Sequence, residues 1–246
     1  MPFNKMSITD AKKLLIHVVF FDPALSRSNI EEVINKVERL YPESNSYDLE
    51  YWLGLALRNY NGWFIRGEER KVYLEKAINH LERAYTLSEG IIPNEYSQDK
   101  RHFTDYVDRN TIACEIGILL IKEAIVRDLE KGINYIKPVF ESTKDYYPAF
   151  CTYAEAFYKL GDYLKAAEIA FESHRRATES LEFKDHIPTS PLSIAGKSLR
   201  AKVKECKKNG DIDFAISLLQ KSVDMKIASN NDVKMLNKLK ELKEQI

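Results

Sequence analysis

The sequence predicts an all-helical protein in which about five stacked helix-turn-helix pairs are followed by one capping helix. The first observation behind this prediction is an internal repeat, because the pattern of residues 150–173 returns at 199–222. The second is that the 246 residues include only nine glycines and eight prolines and no sustained alternation at period two. That composition argues against many strands joined by turns. Helical pairs that repeat must stack to bury their apolar faces.

The two copies of the repeat align on Gly161 and Gly210. In each copy, apolar and small residues recur at spacings of three, four and seven, which places them on one helix face. The glycine and the aspartate after it lie between two such runs, as expected where one helix ends and the next is N-capped. The matched positions are Phe150, Ala154, Phe157, Gly161, Asp162, Tyr163, Ala166, Ala170 and Ser173 with Leu199, Val203, Cys206, Gly210, Asp211, Ile212, Ala215, Leu219 and Ser222.

The first two pairs are predicted at 9–41 and 46–89. In the first pair, Pro23 ends the leading helix, because proline disfavours helix in the residue before it. In the second pair, Gly54 is a small residue at which a partner helix can approach closely. An insertion at 61–73 separates the two helices of this pair as an extended turn.

Three further pairs are predicted at 103–141, 147–179 and 194–226. Residues 180–193 contain two prolines and separate the fourth pair from the fifth. A final helix at 231–245 carries leucines at helical spacing on one side and lysines on the others. A helix with one apolar face and otherwise polar faces is typical of the cap that covers the end of a helical stack.

The charge distribution restricts the classes of partner. The chain has 37 basic and 37 acidic residues, yet residues 191–246 carry twelve basic and seven acidic residues, a net charge of +5. Overall neutrality argues against bulk nucleic-acid or membrane binding and leaves room for a local basic site.

The location of the protein is predicted from its cysteines and its apolar runs. Three cysteines without Cys-x-x-Cys spacing fit a reducing compartment. The N-terminal residues do not have the pattern of a signal peptide. The longest apolar run, Ile116 to Ile121, is about a third of the length needed to cross a membrane. We therefore expect a soluble, cytoplasmic protein.

A basic stripe is predicted on the first helix of the fifth pair. Lys197, Arg200, Lys204 and Lys207 follow one another at steps of three, four and three, so they share a helix face. Three interpretations remain open: a solvated face, a site for an acidic partner segment, or a contact with nucleic-acid phosphates.

The chain resembles the tetratricopeptide repeat (TPR) family. The residues that carry the resemblance are Ala154, Gly161, Tyr163 and Ala166 in the fourth pair, and Leu53, Gly54, Ala77, Leu81 and Ala84 in the second. The resemblance implies a right-handed superhelix in which the first helix of each pair lines a concave groove for a peptide or protein segment. The insertions at 61–73 and 180–193 depart from the family's repeat of about 34 residues.

The resemblance also implies which residues face the groove. They are Tyr51, Leu55 and Arg58 in the second pair, Ile118 and Ile121 in the third, Cys151, Glu155, Tyr158 and Lys159 in the fourth, and Lys197, Arg200, Lys204, Lys207 and Lys208 in the fifth. Some family members clamp a C-terminal carboxylate with lysine and asparagine in an early repeat. Those places here hold Tyr51 and Leu55, so the clamp is absent in its usual form.

A second candidate contact is the aromatic pair Trp63 and Phe64 in the insertion at 61–73. Exposed aromatic residues of this kind anchor protein partners, and they also pack back on neighbouring helices. The sequence leaves both interpretations open.

The function that we expect is that of a non-enzymatic scaffold or adaptor that binds a peptide or helical segment, with acidic groups directed at the basic stripe. The five histidines are scattered, and phosphate-loop, nucleophile-elbow and metalloprotease motifs are missing, so we expect no enzyme activity, cofactor or metal. Two alternatives are binding of RNA or single-stranded DNA through the fifth pair, and self-assembly of the chain.

Overall fold

The computed structural model describes residues 6–20, 26–42, 44–90, 107–145, 147–180 and 189–244. These residues form eleven α-helices and no β-strand, which confirms the all-α prediction. The helices are α1 Ile8–Val19, α2 Arg27–Leu40, α3 Tyr47–Phe64, α4 Glu69–Leu87, α5 Arg109–Lys122, α6 Leu129–Ser142, α7 Ala149–Lys159, α8 Tyr163–Glu179, α9 Ser190–Asn209, α10 Ile212–Asp224 and α11 Asn230–Glu244. A short 3-10 turn, Ala124–Val126, lies between α5 and α6. Within the described ranges, no helix is both long and apolar enough to cross a membrane.

Three predicted boundaries are wrong. The third pair is predicted from residue 103, but its first helix begins at Arg109, after the N-cap Asp108. The turn predicted from residue 61 onward is helical as far as Phe64, and α4 begins at Glu69. The fifth pair begins at Ser190 rather than at residue 194, because Pro191 lies in the first turn of α9, where its missing N–H has no intrahelical partner to lose. Pro23, the predicted stop of the first helix, lies outside the described residues, as do residues 91–106 between the second and third pairs. The same holds for residues 181–188, most of the predicted insertion at 180–193.

Most of the described helices begin after a serine or aspartate whose side chain caps the helix N-terminus. Ser7, Ser26 and Ser46 each accept a hydrogen bond from the backbone N–H three residues later. Asp108 does the same for α5. Such caps satisfy N–H groups that have no partner inside the helix.

The two copies of the internal repeat share one turn geometry. Gly161 and Gly210 have φ values of 83° and 79°, the left-handed region that glycine adopts without strain. The N–H of Asp162 donates to Phe157 O at 3.0 Å, and that of Asp211 donates to Cys206 O at 2.9 Å. Each aspartate then caps the following helix through its side chain. Both turns are Schellman motifs followed directly by an N-cap, as the Gly-Asp pattern predicts.

The chain divides into two compact units, Met1–Tyr135 and Ile136–Ile246, and the boundary falls within α6. In unit 1, α3 packs along α4 and also contacts α1 and α2, while α4 contacts α5. Leucines and isoleucines of these five helices form one buried cluster, which includes Leu15, Ile34 and Leu74.

Small residues let the helices of unit 1 approach closely. A Cβ on Gly54 would lie 2.7 Å from Leu81 Cγ and 3.1 Å from Ala77 O. At Gly132, a Cβ would lie 2.7 Å from Ile121 Cγ1. Both glycines therefore lie where a second helix leaves no room for a side chain, which confirms the predicted close approach at Gly54.

In unit 2, consecutive helices from α7 to α11 pack on one another, and α7 also contacts α9. Five of the nine matched positions are buried in both copies: Phe150 with Leu199, Ala154 with Val203, Ala166 with Ala215, Ala170 with Leu219, and Ser173 with Ser222. The matched serines behave alike, since the buried Ser173 Oγ donates to Ile169 O and Ser222 Oγ donates to Leu218 O. The internal repeat is thus a repeat of structure as well as of sequence.

Candidate binding site

The predicted groove residues of unit 1 are largely covered. Tyr51 and Leu55 are 5% and 4% exposed and belong to the core, and Ile121 is fully buried. Arg58 forms an ion pair with Glu115, which joins α3 to α5. The surface that a partner could reach here is therefore confined to this ion pair and the half-buried Ile118.

Trp63 and Phe64 lie in the last turn of α3, not in a loop. Both side chains are partly buried against the core of unit 1, and the Phe64 ring lies 5.6 Å from the ring of Tyr60. The aromatic pair therefore packs on its own unit, which agrees with the packing interpretation and not with an exposed anchor.

The predicted groove residues of unit 2 border an open cleft between α7 and α9. This cleft has a volume of about 360 Å³ and is lined by Glu155, Tyr158, Lys159, Ser193, Ile194 and Lys197. Four of these six residues were predicted from the sequence. Cys151, on the same helix as Glu155, is 8% exposed and does not line the cleft.

The cleft combines an aromatic surface with charges of both signs. Lys197 Nζ lies 4.2 Å from the centroid of the Tyr158 ring, and this cation-π contact joins α9 to α7. The Tyr158 ring also lies 5.4 Å from that of Tyr163, so two neighbouring groups fix its position. Glu155 contributes a half-buried carboxylate on the α7 side.

Beyond the cleft, α9 presents a row of exposed lysines. Lys204, Lys207 and Lys208 are exposed, and none of them forms a salt bridge with any residue that the structure describes. From Lys197 to Lys208 the helix rises about 16 Å, at 1.5 Å per residue. The basic stripe is therefore a real surface feature for most of its predicted length.

Arg200 is an exception within the stripe. Its Nη1 donates to Asp232 Oδ2 at 3.2 Å, although its side chain is 43% exposed, and Asp232 is almost completely buried. The helical spacing places Arg200 in the basic stripe, but the structure pairs it within the protein. Arg200 has a carboxylate partner on α11 that is distant in the sequence.

Asp232 holds the start of α11 through several hydrogen bonds. Its Oδ2 accepts from the N–H of Ser229 at 2.7 Å, and its own N–H donates to Ser229 Oγ at 3.3 Å. Burial would raise the pKa of this carboxyl, but the bonds from Ser229 and Arg200 outweigh burial and lower it. The carboxylate is thus ionised where Arg200 meets it.

We expect Arg200→Ala to weaken the attachment of α11 to α9. Truncation removes one partner of the nearly buried Asp232, at a cost of about 1 kcal/mol after allowance for the exposure of Arg200. Amide hydrogen exchange in residues 233–240 should become faster, whereas Lys204→Ala, one turn away on the same helix, should leave it unchanged. Equal exchange rates in the two variants would contradict this role for Arg200.

The sequence analysis missed two residues of the cleft and the partner of Arg200. Ser193 lies four residues before Lys197 on α9, so helical spacing alone indicates that both share a face. The predicted start of α9 at residue 194 left Ser193 outside the helix. Ser229 and Asp232 form the Ser-x-x-Asp pattern of a capping box before an apolar run, which is also readable from sequence.

The repeated turns and the consecutive packing of helices define the class of protein: an all-helical repeat protein. No protein-family model and no curated protein matches this chain. Among solved structures, it is similar to a "circular tandem repeat protein with novel repeat topology and enhanced subunit contact surfaces", at 14% sequence identity and a TM-score of 0.21. That alignment covers 97% of this chain and 50% of the other, so this chain spans half the length of that protein. A likeness at this TM-score carries no argument about fold or function.

Proposed function

We propose that this chain is a TPR-like, non-enzymatic binding protein that holds an acidic segment of a partner protein against α7 and α9. The observation that carries the proposal is the row of exposed lysines, Lys204, Lys207 and Lys208, which have no salt-bridge partner among the described residues and lie beside the open cleft at Tyr158. Like charges on one helix face repel one another and slightly oppose folding. A bound anion offsets this repulsion.

The family resemblance supports the proposal through its matched positions. Gly161 and Tyr163 fall at the repeat turn and at the start of the second helix, and Gly54 falls where two helices approach closely. In the family that these residues resemble, the first helices of successive pairs line the binding groove. The proposed site uses two such helices.

The dimensions of the site fit a short peptide. A stripe about 16 Å long matches about five residues of extended chain, at roughly 3.3 Å per residue. The cleft then takes one apolar or aromatic side chain against Tyr158 and Ile194, while acidic side chains face the lysines. Electrostatic attraction of this kind speeds association and weakens as salt increases.

Selection of random peptides on the immobilised full chain tests the proposal without a known partner. Enriched sequences should contain at least two acidic residues close to an aromatic or large apolar residue. Enrichment of neutral or basic peptides alone would contradict the proposal. Submicromolar retention of polyuridylate on filters, falling steeply with salt, would instead favour nucleic-acid binding.

Charge reversal of two lysines tests the site itself. We expect Lys204→Glu with Lys207→Glu to weaken binding of a selected acidic peptide by at least about tenfold, or roughly 1.4 kcal/mol. The melting temperature should change by only a few degrees, because these side chains have no described partner to lose. Fluorescence anisotropy at several salt concentrations measures the affinity.

The matched control reverses Lys234 and Lys238, which are exposed on α11 and change the net charge by the same amount. This variant should bind the selected peptide almost as tightly as the unmodified protein does. If both double variants weaken binding equally, the effect belongs to the net charge of the protein and not to α9.

A further inference from the structure

In unit 1, the side chain of His80 lies between carboxylates from two other helices. His80 is on α4, and its Nδ1 is 2.7 Å from Oε2 of Glu50 on α3. Its Nε2 is 3.6 Å from Oε1 of Glu38 on α2. One imidazole therefore connects the first predicted helical pair with the second.

The surroundings of His80 make this arrangement sensitive to protonation. The Glu50 side chain is only 2% exposed, and its second partner is Arg83, whose Nε lies 3.6 Å from Oε1. Lys76 pairs with Glu38 at 3.2 Å on the more exposed side. Three other elements meet α4 away from His80: α5 through Arg109 at Tyr85, and the 3-10 turn region through Glu123 at Arg70. The third is α6, whose Lys131 and Tyr135 both contact Glu82.

The protonation state of the His80 imidazole determines how many hydrogen bonds it can donate to the two carboxylates. Protonated His80 has two N–H donors, one for each carboxylate, whereas neutral His80 has one donor and one lone pair. In the neutral form a lone pair must face one of the two negatively charged oxygens. We propose that His80 is a proton-dependent latch, which holds α2 against α3 and α4 when it is protonated and loosens α2 when it is neutral.

The electrostatics agree with this assignment. Burial would lower the pKa of His80, but its close contact with Glu38 and its hydrogen bond with Glu50 outweigh burial and raise it above its usual value. The pKa of Glu38 is lowered, chiefly by its contact with His80 and against the effect of burial. The stabilisation from His80 is therefore complete below about pH 6.5, its unfolded value, and is lost as pH rises through the higher folded value.

The apolar contacts of α2 limit how far this helix loosens when His80 loses its proton. Ile30, Ile34 and Val37 are buried in the core of unit 1 and do not titrate. Loss of the bridge therefore raises the frequency of local opening and leaves α2 folded most of the time. This device belongs to unit 1 and does not depend on the proposed peptide site.

A titration of the full chain tests the latch quantitatively. The His80 pKa is read from its imidazole proton resonance, and the opening of α2 from the exchange protection of the Ile34 and Val37 amides between pH 5.5 and 8.5. Across this range, protection should fall about tenfold for every unit by which the measured pKa exceeds about 6.5. Amides of α10 in unit 2 should keep constant protection.

Two variants complete the test. In His80→Gln, protection of α2 should not vary with pH, and in Glu38→Gln, which keeps His80, the histidine pKa and the pH dependence should both decrease. The matched control, His17→Gln on the exposed face of α1, should behave like the unmodified protein. A His80 pKa at or below about 6.5 overturns the proposal, as does an undiminished pH dependence in either His80→Gln or Glu38→Gln.

Discussion

Arg176→Met should destabilise unit 2 by about 2–4 kcal/mol, because it removes donors from backbone carbonyls at the end of α6. Arg176 is on α8, its side chain is 10% exposed, and its Nη1 donates to Phe140 O and Thr143 O, both at 2.9 Å. Its guanidinium also lies 4.3 Å from the centroid of the Phe140 ring. Methionine keeps the apolar stem and loses every one of these polar contacts.

Urea denaturation followed by helical circular dichroism measures the loss, with amide exchange in α8 to assign it to unit 2. The control is Arg175→Met, because Arg175 is the next residue and also binds Glu172. Its side chain is 51% exposed and its ion pairs stay within α8. Arg175→Met should leave the unfolding midpoint nearly unchanged. Similar midpoints for the two variants would show that the carbonyl contacts of Arg176 contribute little.

Gly54→Ala should destabilise unit 1 by about 1–3 kcal/mol, although alanine is the better helix former. The new methyl group would lie 2.7 Å from Leu81 Cγ, which is fully buried, and 3.1 Å from a backbone oxygen of α4. Since neither neighbour has free space to move into, α3 and α4 must separate. Thermal and urea denaturation both report this change.

Gly62→Ala on the same helix is the matched control and should have the opposite sign. Gly62 is exposed, and a Cβ there would have no neighbour within 4 Å. Only the helix propensity changes, so we expect stabilisation by about 0.5–1 kcal/mol. If Gly54→Ala also stabilised the protein, the close approach of α3 and α4 would not be a constraint on this position.

The two parts of the predicted groove differ because their charged residues have different partners. In unit 1, Arg58 meets Glu115 of the next first helix, and the surface closes over Tyr51 and Leu55. In unit 2, Lys197 meets an aromatic ring instead of a carboxylate. The cleft beside it stays open. The proposed peptide site is therefore assigned to α7 and α9 alone.

Features that depend only on residues close together in the chain can be predicted from the sequence. The Gly-Asp turns of the repeat and the small residue at Gly54 were predicted, because each follows from local backbone geometry or helical spacing. The repeat itself was readable for the same reason. Most of its matched positions lie on the buried helix face in both copies. The cap at Asp108 was not predicted, since the helix was expected to begin at residue 103.

What covers each helix face depends on how the helices pack and cannot be predicted from local sequence. Helical periodicity places Leu55 and Arg200 on a face, but whether that face meets solvent depends on residues far along the chain. Leu55 is buried in the unit 1 core, and Arg200 reaches Asp232 across 32 positions of sequence. The position of His80 between Glu38 and Glu50 could not be predicted from the sequence either, because these side chains meet only when three helices pack together.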